Sequence, residues 1–318
     1  MKVTAHLERR KNTLFSFEIL PPLKGSGIEA IFDGIDPLME FNPPFINVTY
    51  HREEYMYKKL PNNLLEKVSI RKRPGTVGIC AAIINRYEID AVPHLICGGF
   101  SLEETESALI DLQFLGIDNV LALRGDPIKT ESAFIPERNG HTYALDLIEQ
   151  ITRLNKGIYL HEESKNNQHM SFCVGAAGYP EKHYESMNIK TDLKYLKMKV
   201  DAGAEYITTQ LFFDNKKFFD FEARCREAGI TVPIIPGLKP ITKLAHTAFL
   251  PKTFHVDFPD ALSDALSSCK TDADVNKVGT SWAIAQSQEL KDAGVPCIHY
   301  YTMGKSEAVR NIAKEVFC

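Results

Sequence analysis

This chain of 318 residues lacks paired cysteines, a nucleotide-binding glycine fingerprint and any long apolar run, and each absence narrows its function. The seven cysteines (Cys80, Cys97, Cys173, Cys225, Cys269, Cys297 and Cys318) are scattered, odd in number and never spaced C-x-x-C. That pattern argues against a disulfide framework and a structural zinc site. Most lie in apolar stretches, as small buried hydrophobes do in a reducing compartment, so a cytoplasmic location and no metal are expected. The ten histidines contain no H-E-x-x-H, since His161 opens only His-Glu-Glu-Ser-Lys. No window is apolar for long enough to span a bilayer, and the polar, charged residues 1–11 predict no secretory signal. A net charge of −4 gives no general attraction for nucleic acid or anionic lipid, so neither is expected as a partner. Gly25-Ser26-Gly27 has no third glycine of a dinucleotide fingerprint. Gly304-Lys305-Ser306 resembles the end of a P-loop, but His299 stands where that loop needs glycine.

What is present is alternation. Strand-like runs at 14–20, 45–50, 92–97, 119–125, 171–177, 206–212, 232–237 and 297–302 are separated by amphipathic stretches, with no composition break to mark a linker. Residues 101–116 read as a helix, with Ser101 and Glu104 as a capping box and Gly116 as its stop. Residues 191–203 read as another, with Leu193, Leu196 and Val200 at helical spacing. Eight strands with intervening helices in a chain of this length predict an α/β fold, a single-domain (β/α)8 TIM barrel over residues 1–318. A doubly wound open sheet is the structural alternative, but it usually shows a glycine-rich turn after its first strand. Two segments break the rhythm: 155–170 reads as a polar surface insertion, and 255–294 carries extra helix.

In such a barrel, side chains alternate between the interior and the helix layer, and active sites form at the C-terminal strand ends. Phe15, Phe17 and Ile19 then face the helices, and Ser16 and Glu18 face inward. On the second strand Ile46, Val48 and Tyr50 point outward and Asn47 and Thr49 inward. The third carries His94, the fourth ends on Arg124 and Asp126, the sixth carries Thr208 and Gln210 on one face, and the eighth His299 and Tyr301. A polar group at so many strand ends converges on one mouth. Glu18 is the sharpest candidate, because Phe17, Ile19 and Leu20 around it disfavour its charged form and raise its pKa. Such a glutamate suits general acid work near neutral pH; the alternative is an internal salt bridge, for example to Arg124.

Eight blocks then carry a resemblance: Ser16 to Pro22, Asn47 to Tyr50, Pro93 to Cys97, Leu121 to Pro127, Lys199 to Ala204, Ile207 to Asp214, Ile235 to Gly237 and His299 to Thr302. In that order they resemble the methylenetetrahydrofolate reductase family in its short bacterial form, over about residues 14 to 316. The resemblance implies a barrel that binds FAD non-covalently, takes hydride from NAD(P)H and passes it to 5,10-methylenetetrahydrofolate, giving 5-methyltetrahydrofolate for methionine synthesis. It implies Glu18 as general acid, Asp126 as the carboxylate beside the flavin ring, and Gln210 as the group that meets pterin and nicotinamide. For FAD it implies Thr49, Tyr50, His94, Arg124, Gly125, Asp126, Tyr143, Tyr179, His183, Asp192 and Lys199. Arg124 and Lys199 would partner the pyrophosphate and Asp192 the ribose. For substrate it implies Thr49, Asp126, Gln210, His246, Tyr301 and Lys305.

The chain departs from the family pattern at Met303-Gly304-Lys305, usually Leu-Asn-Arg, at His246 and Leu250, where some members have Gln and Phe, and at Tyr195, an Asn elsewhere. A lysine replaces an arginine fork at 305, which weakens bidentate carboxylate recognition. A homo-oligomer is expected, without the regulatory domain of the eukaryotic enzymes and its adenosylmethionine feedback. The competing functions are a pterin-dependent methyltransferase without flavin and a silent flavin- or folate-binding paralogue. Intact Glu18, Asp126 and Gln210 argue against the silent copy.

Overall fold

All eight anticipated strands form in a computed structural model, which describes residues 1–128, 131–161 and 167–318. In chain order the strands are β1 (Leu14–Ile19), β2 (Phe45–Val48), the hairpin β3 (Glu54–Lys59) and β4 (Leu65–Ile70), then β5 (Asp90–Ile96) and β6 (Asn119–Leu123). They continue as β7 (Cys173–Gly178), β8 (Tyr206–Thr209), β9 (Ile234–Ile235), β10 (Gly237–Leu238) and β11 (Cys297–Tyr301). The parallel order is β10-β11-β1-β2-β5-β6-β7-β8-β9. β9 and β10 are two halves of one stave, interrupted at Pro236, which has no N–H to give a ladder. The first half pairs with β8 and the second with β11, and His299 N–H bonds Pro236 O at 2.9 Å, so the sheet closes on itself. The expected TIM barrel is the fold.

Local sequence sets the helices as anticipated. Ser101 Oγ accepts from Glu104 N and the Glu104 carboxylate accepts from Ser101 N at 2.8 Å, starting the helix Leu102–Phe114. Gly116 then takes a φ of 71°, which a side chain would resist. The second anticipated helix runs over Ile189–Asp201, capped by Asn188. The extra helix in 255–294 is Asp260–Ser267 followed by Asp272–Asp292, the latter with a Thr271/Asp274 capping box. Of the insertion at 155–170, residues 162–166 lie outside the described residues. Its ends are pinned together, with Asn155 Nδ2 donating to Phe172 O and Phe172 N to Asn155 Oδ1.

The barrel strands bury both faces, unlike the exposed β3–β4 hairpin, and the anticipated alternation separates two cores. Phe15, Phe17, Ile46, Val48, Val120, Ala122, Ile207 and Ile298 pack against the helices. Phe45, Val92, Leu121, Cys173, Tyr206, Ile235 and Cys297 fill the lower interior. The helix Val3–Arg9 plugs that end with Val3 and Leu7, and Val3 N donates to Asn119 Oδ1 at 2.8 Å. One expectation needs correcting. On β6 the inward face is Leu121, not the Ala122 face that Arg124 would continue. Arg124 and Asp126 instead leave from the loop beyond the strand, where Gly125 at φ 84° ends the alternation.

Candidate active site

The C-terminal halves of the same strands bring a polar set into the barrel. Ser16 Oγ lies 2.9 Å from His299 Nδ1, and Asn47 Nδ2 lies 3.3 Å from His94 Nε2. Both imidazoles are buried, and burial pushes each down to about 3, with further repulsion from His51 on His94 and from His94 on His299. They are therefore neutral near pH 7. Asn47 Oδ1 and His299 Nε2 are buried and have no hydrogen-bond partner among the described residues.

Glu18 sits above them. Burial raises its pKa to about 8, against the opposing pull of Lys239. His94 Nε2 is 3.8 Å from Glu18 Oε2, but a neutral imidazole makes no ion pair there. The Glu18 side chain keeps 14% of its surface accessible at this end of the barrel. The anticipated alternative, a Glu18–Arg124 bridge, does not form: Arg124 holds Glu185 through two bonds of 2.5 and 3.0 Å. Tyr301 faces inward and donates its hydroxyl to Thr209 O at 2.5 Å. Its path passes over Gly237, where any Cβ would meet Thr209 O at 2.3 Å and Tyr301 Oη at 2.5 Å. Gln210 follows β8, with Oε1 accepting from Leu211 N at 2.9 Å, and its amide N–H groups make no hydrogen bond among the described residues. Thr49 Oγ1 caps Ile19 O at 3.2 Å.

A second group gathers on the rim beyond β6 and β7. Lys199 Nζ donates to Ala177 O at 3.0 Å; burial lowers its pKa to about 8, Asp192 raising it and Arg124 lowering it further. Tyr179 packs edge-on to the His183 ring at 4.7 Å, and its phenol is pushed up by burial and then by Asp126 and Asp192. The Asp192 carboxylate accepts from His183 N at 3.1 Å and Ser186 Oγ at 2.8 Å, so it already organises this loop. Asp126 is exposed between the two groups, and its charge reaches both His51 and Tyr179. Tyr50 stacks obliquely on Phe100, ring centroids 5.0 Å apart.

Three anticipated residues stand farther out. Tyr143 is 60% exposed at the start of the helix Ala144–Asn155, its N–H bonded to Asp146. Lys305 is exposed on the turn after β11, its N–H bonded to Thr302 O. His246 opens the helix Leu244–Phe254; burial and then Lys239 and Lys243 lower it to about 4. Sequence reasoning missed Lys239, Glu185 and Arg52. Arg52 is buried in an ion pair with Glu131 against Gly98 and Gly99. The findable one was Lys239, which keeps the inward parity of Ile235 and Gly237. Among the described residues no group of three His, Cys, Asp or Glu is placed to hold a metal ion.

Fold and site together define a class: a (β/α)8 barrel with a proton-holding acid in its C-terminal mouth and a cationic, aromatic rim beside it. Comparison with known proteins makes the assignment specific. The methylenetetrahydrofolate reductase family model matches residues 2–316, and the chain belongs to that family. Methylenetetrahydrofolate reductase 2 of Saccharomyces cerevisiae is 33% identical over 97% of this chain, which spans 48% of the yeast protein. The chain thus spans about half the length of the eukaryotic relatives it matches. The 5,10-methylenetetrahydrofolate reductase of Salmonella typhimurium is 30% identical, with 92% of this chain and 86% of that one covered. Among solved structures, an uncharacterised Clostridium thermocellum protein that binds two copies of 5-methyl-5,6,7,8-tetrahydrofolic acid superposes with a TM-score of 0.58. It is 15% identical, and 98% of this chain and 97% of that one are covered, a likeness of fold.

Proposed function

We propose that residues 1–318 form one FAD-binding catalytic barrel that reduces 5,10-methylenetetrahydrofolate to 5-methyltetrahydrofolate with NAD(P)H, in two alternating half-reactions. The observation that carries this reading, beyond family membership, is Glu18. It is an acid at the C-terminal end of the barrel interior, 14% of its side chain exposed, with a pKa raised to about 8 by burial. Bound FAD supplies the hydride relay between nicotinamide and folate.

The rim fits such a cofactor. Arg124 and Lys199 are two cations suited to a pyrophosphate, Tyr179 and His183 offer rings beside them, and Gly125 lets the backbone come close. In the mouth, the orphaned Asn47 Oδ1 and His299 Nε2 are groups that a ligand or water must satisfy.

The chain's own residues perform the acid–base work. The methylene bridge of the folate becomes reactive as a 5-iminium cation, which requires a proton on N10. Glu18 holds that proton at pH 7 and gives it. The Gln210 amide is free to bond a pterin or a carboxamide. Asp126 places a negative charge where an iminium cation gains by it.

The test is a visible spectrum of the purified protein, titrated anaerobically with NADH and then with methylenetetrahydrofolate. Flavin absorbance that bleaches with NADH and returns with folate is the expected result. A colourless protein that FAD does not reconstitute would overturn the proposal. Bleaching without recovery would leave a flavoenzyme with a different acceptor.

A further inference from the structure

Lysine rarely sits inside a barrel, because its charge loses hydration there. Lys239 does: it is 7% exposed and follows Ile235 and Gly237 along the inward face of the seventh stave. Its ammonium makes one long contact, 3.4 Å to Pro240 O, and it takes part in no salt bridge among the described residues.

Register brings it level with the acid. Gly237 pairs with His299 and Leu238 with Tyr300, so one further residue sets Lys239 beside Tyr301. Glu18 pairs with Tyr301 from the other side. Acid and cation thus flank one tyrosine from adjacent staves, each roughly 4.8 Å away, and both side chains enter the same layer. Burial drives Glu18 up and Lys239 down to about 8, each tempered by the other.

Among the described residues the other groups around Glu18 do not offer it a cation. His94 and His299 are neutral, the Tyr301 hydroxyl donates its hydrogen bond to Thr209 O, and Thr302 Oγ1 donates to the Glu18 main-chain oxygen. Ser16 is engaged with His299, and Asn47 with His94. His246 also lies in the field of Lys239 and is itself held neutral.

We propose that Lys239 is a positioning residue for proton transfer, fixing the ionisation of Glu18 and holding the carboxylate that remains once the acid has given its proton. The inference rests on the reductase reading. In the step, the Glu18 O–H bond breaks and an N10–H bond forms. The electron pair of the methylene–N10 bond stays on N10, the N5 lone pair completes the iminium, and the new carboxylate faces Lys239.

An infrared titration of the holoenzyme without substrates tests this directly. The spectrum of wild type minus Glu18→Gln isolates the carboxyl stretch of Glu18. The wild-type midpoint is expected near pH 8. Lys239→Met should raise it by about one unit or more, and Lys239→Gln is a second neutral variant should the first not fold. Lys239→Arg should restore it. The folate half-reaction at pH 7 should slow in the neutral variants, by up to about tenfold per unit of displacement, with its alkaline limb displaced upward. The NADH half-reaction should show no such displacement. A midpoint that stays put in a folded neutral variant overturns the inference. Failure of wild type to recover with folate overturns the reductase reading instead, whatever the midpoint does.

Discussion

The two ends of the barrel interior are built by the same strands, one or two inward positions apart, yet they follow opposite rules. At the lower end Phe45, Val92, Leu121, Tyr206 and Ile235 close over each other and over Val3 and Leu7. At the mouth the next inward positions are Asn47, His94, Thr208 and Gly237, followed by Glu18, Gln210, Lys239 and Tyr301. The lower end gains stability from apolar area removed from water. The mouth surrenders stability: it holds an acid and an amine at shifted pKa values and leaves Asn47 Oδ1 and His299 Nε2 unpaired. Alternation along a strand thus fixes which side chains point inward, while height along the barrel axis decides whether they pack or react.

The largest expected effect lies in the mouth. Glu18→Gln should slow the folate half-reaction about 10²–10⁴-fold, the usual contribution of a positioned acid, and leave flavin reduction by NADH nearly intact. Stopped-flow absorbance of each half-reaction checks this, and equal loss in both would remove Glu18 from the proton-transfer role. Because the acid must carry its proton, the wild-type folate half-reaction should hold level below pH 8 and fall above it. Stability has the same sign. The folded pKa lies above the ordinary 4.5, so the folded state binds the proton more tightly and stability falls as pH rises from 4.5 to about 8. Glu18→Gln should flatten that slope.

The lower end should respond in the opposite way. Phe45→Ala removes a 1%-exposed ring from the plugged layer and should cost about 3–5 kcal/mol, read by urea unfolding. The folded fraction should keep both half-reactions. A selective loss of folate reduction would show that the two ends are mechanically coupled and would dissolve the distinction.

Much of this division was legible in the sequence. The inward and outward parities of Phe15 to Glu18 and of Ile46 to Thr49 follow from apolar alternation, because each stave is buried on both sides by different partners. Glu18 stood out because a carboxylate among Phe17, Ile19 and Leu20 is unusual. The β3–β4 hairpin was not legible, since its residues are mostly exposed on both faces and so carry no apolar period. Lys239 was missed because a lysine between leucine and proline reads as a solvated loop end; its parity with Gly237 was the available signal. Glu185 was beyond reach, because a loop carboxylate paired with Arg124 has no periodicity to betray it.

That pair gives a smaller effect at the rim. Glu185 occupies the guanidinium fork that the pyrophosphate of the proposed FAD would use, so binding there would displace it. Glu185→Gln should tighten FAD binding by up to about fivefold, because an exposed ion pair is worth about 0.2–1 kcal/mol. Fluorescence titration of the apoprotein with FAD checks it. Weaker binding would mean that Glu185 positions Arg124 for the cofactor, extending to the rim the preorganisation seen in the mouth.

The smallest effect probes the apparent exception at the lower end. Tyr206 crosses the interior above Gly175, where a Cβ would meet its ring at 2.3 Å, and its buried hydroxyl has no hydrogen-bond partner among the described residues. An orphaned hydroxyl costs about 1–3 kcal/mol of desolvation, and a phenylalanine fills the same ring volume. Tyr206→Phe should therefore be neutral or raise stability by up to about 2 kcal/mol in urea unfolding, with the half-reactions unchanged. If the substitution destabilises the protein instead, the hydroxyl is satisfied by an ordered water, and polar organisation reaches below the level of Ser16 and His299. The boundary between packing and chemistry would then lie one inward layer deeper than the side chains alone place it.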